Sequence, residues 1–217
     1  MPHFSKRSLC TAPARAAGAL SFLDLDLSLP PHPSPPLSPR RVPVFRAVIE
    51  TPRGCRLKYK LDPGTGCLTV DHVLTGATVY PANYGFIPRT LDDDEGALDV
   101  LVLMQEPLAP FSCLRAKAIG LIRMKDAATG RKDDKVIAVH ADDPEVRDLN
   151  SLAELPPHRL AEIKRFFEDY TLEEKKSFAL GEEGTDPFGD AAAAKEVMLE
   201  AAARYVELYV PKRPRTG

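Results

Sequence analysis

Between residues 46 and 140 the chain is cut into short runs by turn-forming residues, and that spacing limits what it can fold into. RAVIET (46–51), RLKYKLD (56–62), CLTVDHV (67–73), LDVLVLM (98–104), LRAKAIGLIRM (114–124) and KVIAVH (135–140) are β-branched or alternating. PRG, DPGTG, proline-rich and DAATGRKDD segments separate them. The pattern predicts a small closed or nearly closed β-barrel. Within RLKYKLD, Leu57, Tyr59 and Leu61 share one face and Arg56, Lys58 and Lys60 the other, because side chains alternate along a strand. The lysines therefore point together.

Helical spacing appears only later. PPHRLAEIKRFFEDY (156–170) places Leu160, Ile163, Phe167 and Tyr170 on one face. A final helix opened by Asp190 places Val197, Ala201, Tyr205 and Leu208 in a buried stripe. GEEGTDPFG (181–189) reads as loop. The fold class is α+β dominated by β: a barrel with helices packed outside. With 217 residues, 44% of them hydrophobic, the chain supports one domain with a core. Nine of the 21 prolines precede residue 44, six of them in PPHPSPPLSP (30–39), so residues 1–44 are expected to form a disordered arm. The domain is expected over 45–211, with 212–217 a disordered tail.

The formal net charge of −2 supplies no overall positive field for nucleic acid or anionic lipid. No apolar run approaches the ~18 residues of a membrane span. Cys10, Cys55, Cys67 and Cys113 form no C-x-x-C pair, which argues against a zinc site or disulfide framework and for a reducing compartment, the cytoplasm. Residues 1–23 carry Lys6, Arg7 and Arg15 and no acid, a composition compatible with a plastid or mitochondrial address, although Asp24 and Asp26 soon break it.

The chemistry centres on acids. LDDDEGALDVLVLM (91–104) crowds Asp92 to Glu95 before a glycine and then Asp99, so that Asp94 and Asp99 can converge where a loop enters a strand. Asp126 and the Asp133/Asp134 pair bracket an AATG turn that brings them side by side. Two such clusters on one barrel can meet. Massed carboxylates repel unless a hard cation sits between them, and oxygen-only ligands select Mg²⁺, Mn²⁺ or Ca²⁺; read alone, DDDE is equally a solvated, turn-forming charge run. Nearby stand donors suited to phosphate: Lys58, Lys60, Lys135 and the tyrosines of VYPANYGFIP (79–88). Acids for metal beside lysines for anions suggest phosphoryl chemistry.

VYPANYGFIPRTL, LDVLVLMQEP, KDDKVIAV and ELPPHRLAEIKRFFEDY are long, specific matches. On them the chain resembles the soluble inorganic pyrophosphatases of the Mg²⁺-dependent barrel family, particularly the plant type, across residues 45–170 and more loosely to the end. The resemblance implies a five-stranded, oligonucleotide-binding-type barrel with two or three flanking helices, Mg²⁺ as cofactor, and hydrolysis of pyrophosphate to two phosphates. It also implies site roles. Asp94, Asp99 and Asp133 fall on metal aspartates and Asp126 on a further one. Lys58, Tyr84, Tyr170 and Lys135 match groups that hold phosphate oxygens, Tyr80 matches a tyrosine assigned as proton donor, and Glu50 matches a site glutamate.

Four positions depart from the family pattern. Asp-x-Asp-Pro-x-Asp reads DEGALD, so Gly96 replaces the aspartate that orients and deprotonates the attacking water. K-x-E reads Lys58-Tyr59-Lys60, V-D-R reads Val70-Asp71-His72, leaving His72 at a substrate-binding position, and the lysine after Tyr170 is Thr171. Losing a general base typically costs ~10²- to 10⁴-fold in rate. By strand-like alternation Glu95 points opposite to Gly96 and does not replace it. The reading is an inorganic diphosphatase of impaired turnover. The alternative is a weak or inactive homologue that binds metal or phosphate, or serves as an interaction subunit. A nucleic-acid module is disfavoured, since there is no tryptophan and acids stand where a basic groove would lie. The expected partner is a small-molecule substrate, with no nucleic acid and no membrane, and the chain a monomer or homo-oligomer.

Overall fold

The computed structural model describes residues 44–62, 65–127, 129–173, 178–181 and 185–209. The arm and the tail expected at 1–44 and 212–217 lie outside these residues, apart from Val44. The strands are β1 (Val44–Thr51), β2 (Leu57–Leu61), β3 (Leu68–Val73), β4 (Asn83–Phe86), β5 (Asp99–Leu103), β6 (Cys113–Ile122), β7 (Met124–Asp126), β8 (Lys135–His140), β9 (Phe178–Leu180) and β10 (Phe188–Asp190). The helices are α1 (Pro157–Glu173) and α2 (Ala191–Tyr209), with a short 3-10 turn at Leu152–Glu154.

The main sheet runs β1-β4-β5-β8-β6-β10, and β1 also pairs with β6. That second pairing closes β1, β4, β5, β8 and β6 into a five-stranded barrel and leaves β10 as an appendage on β6. Strands β2 and β3 form a separate hairpin, as do β7 and β9. The expected barrel is therefore the observed one.

Strands β5 and β8 pair in parallel, and their residues are buried on both faces, which explains why VLVL and VIAV read as continuous apolar runs. Leu101, Leu103, Ile137 and Val139 join the cluster under α1. Val100, Val102, Val136 and Ala138 join the cluster reached by α2. Strand β4 escaped the sequence pattern because NYGF lies between prolines and contains glycine. A Cβ on Gly85 would stand 1.9 Å from the Val48 carbonyl oxygen, so β4 lies against β1 only because that side chain is missing.

Helix α1 buries Ile163 and Phe167 as expected, with Phe166 added and Leu160 and Tyr170 partly covered. Asp190 opens α2 by accepting the Ala193 amide at 2.8 Å. Two expectations fail here. Leu208 is 67% exposed rather than buried, because the buried stripe of α2, Ala194, Ala201 and Tyr205, ends at Tyr205, and Val206, Leu208 and Tyr209 beyond it are exposed. The 181–189 segment is not all loop, since Phe188 and Gly189 pair with Ile122 and Leu121 as part of β10.

Candidate active site

A cleft of about 570 Å³ opens between β2, the 94–97 loop, the β7–β8 turn and α1. Of the residues expected at the site, Glu50, Lys58, Tyr84, Asp94, Asp99, Asp126, Asp133, Lys135 and Tyr170 all line it. Two do not. Tyr80 is 1% exposed and lies behind the wall, its ring 5.3 Å from Tyr84, 4.8 Å from Phe166 and 6.4 Å from Tyr170. His72, on the β2–β3 hairpin opposite Lys58, also stands outside the cleft lining, its Nε2 buried without a hydrogen-bond partner among the described residues.

The second acidic cluster is built by its hairpin. The Asp126 side chain accepts the Thr129 amide at 3.0 Å and its carbonyl the Gly130 amide at 2.7 Å, which closes the turn; the Asp133 amide then donates to the Met124 carbonyl at 2.9 Å. Asp134 turns inward and accepts the Met124 amide at 3.1 Å. Alternation sends Asp133 the other way, toward the cleft.

The first cluster is built by a tight loop. The Asp92 amide donates to the Gly96 carbonyl at 2.8 Å, the Glu95 amide to the Asp92 carbonyl at 3.2 Å, and the Gly96 amide to Asp94 Oδ1 at 2.9 Å. Glu95 takes a left-handed φ of 68°, so the strand-like alternation expected there does not hold, and Glu95 and Gly96 both line the cleft.

Lys135 links the two clusters. Its ammonium donates to Asp99 Oδ2 at 2.6 Å and to Asp133 Oδ1, and Tyr84 Oη donates to the same Asp99 oxygen at 2.5 Å. Burial pulls the Lys135 ammonium down, but Asp99 and Asp133 outweigh it and hold it above the ordinary lysine range. One ammonium serves two carboxylates. Consistent with that shortage, burial holds Asp133 above the usual carboxylate range, with Lys135 only partly offsetting it. Burial and then Asp99 push the Tyr84 phenol well up, so it stays a proton donor. Glu50, its Oε1 taken by the Leu61 amide at 2.6 Å, is pushed by burial up to about 7.

On the opposite wall Lys58 donates to Tyr170 Oη and sits 3.3 Å from Asp71. Lys60, Arg131 and Lys132 add exposed cationic side chains to the lining. Arg131 and Lys132 were missed as site residues, and their only signal was their place inside the DAATGRKDD turn. The side chain of Thr171 lies outside what the structure describes.

The donor set suits a hard divalent cation. Its acids offer only oxygen, and they outnumber the ammonium placed between them. Among the described residues no three acids, histidines or cysteines are gathered around one point, because the Lys135 ammonium stands between Asp99 and Asp133 as a surrogate cation.

Fold and cleft together define a closed-barrel protein whose site sets oxygen donors against ammonium groups. Residues 47–206 match the family described as inorganic pyrophosphatase. The soluble inorganic pyrophosphatase 2 of Chlamydomonas reinhardtii is 52% identical over 168 residues, spanning 77% of this chain and 84% of that protein. The soluble inorganic pyrophosphatase of Zea mays is 46% identical over 208 residues, spanning 94% and 89%. Among solved structures, the inorganic pyrophosphatase of Thermus thermophilus superposes with a TM-score of 0.69 at 36% identity, covering 79% of this chain and 97% of that one. The chain belongs to the inorganic pyrophosphatase family.

Proposed function

We propose that this chain hydrolyses pyrophosphate to two phosphates with Mg²⁺. The observation that carries the reading is the union of Asp94, Asp99, Asp126 and Asp133 with Lys58, Lys135 and Tyr170 in one cleft of a pyrophosphatase-family barrel. Asp94, Asp99 and Asp133 would hold Mg²⁺, with Asp126 for a further ion, and the bound metal would supply positive charge for the phosphoryl oxygens and acidify the attacking water.

The protein's own groups do the rest. Lys58 and Tyr170, already joined to each other, and Lys135 with Tyr84 bind and orient phosphate oxygens. Water forms the new P–O bond as the bridging P–O bond breaks, and the water's protons are shared between the two phosphate products. Glu50, near 7 and part of the cleft lining, holds or releases a proton at neutral pH. Tyr80 acts from behind, keeping the Tyr84 and Tyr170 rings in place, rather than as a proton donor. Gly96 brings no carboxylate to its place beside Asp94, so turnover is slower than in a relative with an acid there.

Phosphate release from pyrophosphate, measured with Mg²⁺ titrated from zero, tests the function. Metal-dependent release supports it, and no release with Mg²⁺ or Mn²⁺ overturns it. Among the described residues no helix is long and apolar enough to cross a membrane. We place the activity in the cytoplasm, where the free Cys55, Cys67 and Cys113 would stay reduced. A fluorescent fusion of the full chain separates that location from a plastid or mitochondrion.

A further inference from the structure

The 91–99 loop has a second anchor, outside the cleft lining. Helix α2 reaches it twice. The Leu91 amide donates to the Ala201 carbonyl at 2.9 Å, and one turn on, the Arg204 guanidinium donates from Nη1 to Asp93 Oδ1 and brings Nη2 within 3.5 Å of Asp92 Oδ1. Asp92 is 7% exposed and also accepts the Asp93 amide at 2.9 Å, while the Arg204 and Asp93 side chains are about a third exposed, so the guanidinium bridges a half-buried acid to a buried one. Among the described residues Arg204 Nε is buried without a hydrogen-bond partner, and the guanidinium's other two nitrogens reach these two acids.

The charge pattern gives this contact a purpose. Asp93, Asp94 and Glu95 are consecutive carboxylates, and each like charge drives the others apart. The Arg204 cation holds Asp93, and more loosely Asp92, on the α2 side of the loop, and neither residue lines the cleft. The next residue, Asp94, is thereby left on the cleft side, with its Oδ1 receiving the Gly96 amide. We propose that Arg204 is a positioning residue that sets Asp94 for the divalent ion through the Asp92–Asp93 pair. The inference rests on the pyrophosphatase reading, and its test separates the two.

Arg204→Met keeps the aliphatic stem and removes the fork, whereas Arg204→Lys restores one charged donor. Calorimetry with Mg²⁺ alone on the full chain should show the Met variant binding about tenfold more weakly, in the range seen for groups that orient metal ligands. The Lys variant should recover part of that loss. At saturating Mg²⁺ the kcat for pyrophosphate should return toward the unmodified value. Asp93→Asn, which leaves Arg204 in place, should weaken Mg²⁺ similarly and add little when combined with Arg204→Met. It also carries the test if the Met variant does not fold. A drop in melting temperature with an unchanged Mg²⁺ affinity in either variant overturns the positioning role. An unmodified chain that binds no Mg²⁺ overturns the functional reading itself.

Discussion

The two acidic runs that feed the cleft divide their labour in the same way and are anchored differently. In each, one carboxylate turns inward to hold backbone, Asp92 for the Asp93 amide and Asp134 for the Met124 amide, while Asp94 and Asp133 face the cleft. The Asp133–Asp134 run is fixed by its own hairpin, through partners about ten residues away in sequence. The Asp92–Glu95 run leans on Arg204, 111 residues away on α2. Local turn chemistry builds the first kind of site wall, whereas the second adds tertiary docking on α2 to the hydrogen bonds of its own tight loop. The hairpin-borne acid should therefore be rigid, and the loop-borne acid should respond to changes in a distant helix.

The largest effect should come from separating the two roles within the hairpin. Asp133→Asn removes a carboxylate that Lys135 bridges to Asp99, and phosphate release should fall by ~10²- to 10³-fold. Asp134→Ala instead leaves the Met124 amide unpaired, and should cost about 1–3 kcal/mol of stability while kcat stays near the starting value. If the two substitutions behave alike in kcat, the division of labour is wrong.

Next comes pH. Glu50 rises from 4.5 to about 7 in the folded protein, a difference of 2.5, worth about 3 kcal/mol. The folded state binds this proton more tightly than the unfolded chain. Stability from this group is thus complete below about 4.5, declines as pH rises through 7, and is flat above. Urea unfolding of metal-free protein should show that decline together with those of Asp92, Asp133 and Asp134, which burial also raises, and Glu50→Gln should remove only the Glu50 share.

Gly96→Asp probes the loop-borne wall. A Cβ at residue 96 would lie 3.1 Å from Asp94 Oδ1, so the new acid crowds an existing one. In chelator the variant should melt at a lower temperature. With Mg²⁺ it should bind about tenfold more tightly and release phosphate faster, as added ligand charge implies. No gain in Mg²⁺ affinity would mean that the loop does not bring residue 96 to the ion.

The smallest effect belongs to Leu208, beyond both α2 anchors of the loop. Leu208→Asn should change stability by less than about 0.5 kcal/mol and leave the Mg²⁺ titration unmoved. A larger change would show that α2 supports the loop along its whole length.

The barrel could be read from the sequence where burial leaves a direct imprint. Strands β5 and β8 announce themselves because both faces are covered, and Asp190 marks the start of α2 as a cap. Strand β4 did not, since its glycine is required by contact with β1, a partner about 35 residues upstream. Strands β7, β9 and β10 have three residues each, too few for any period to show. At the site, the acids were visible by crowding and by family resemblance. Arg204 was not, because one arginine on a helix carries no motif, and its meaning lies in a loop on the other side of the sequence. Tyr80 is a different case: Tyr84 and Phe86 of the same VYPANYGFIP run line the cleft, and only packing shows that the Tyr80 ring lies behind Tyr84.

The most direct test of the account is calorimetric titration of Mg²⁺ into the full chain and its Asp133→Asn and Asp134→Asn variants. The account predicts saturable binding to the unmodified chain, a severe loss in Asp133→Asn and near-normal binding in Asp134→Asn. No saturable heat in the unmodified chain, or equal binding in all three, would contradict it.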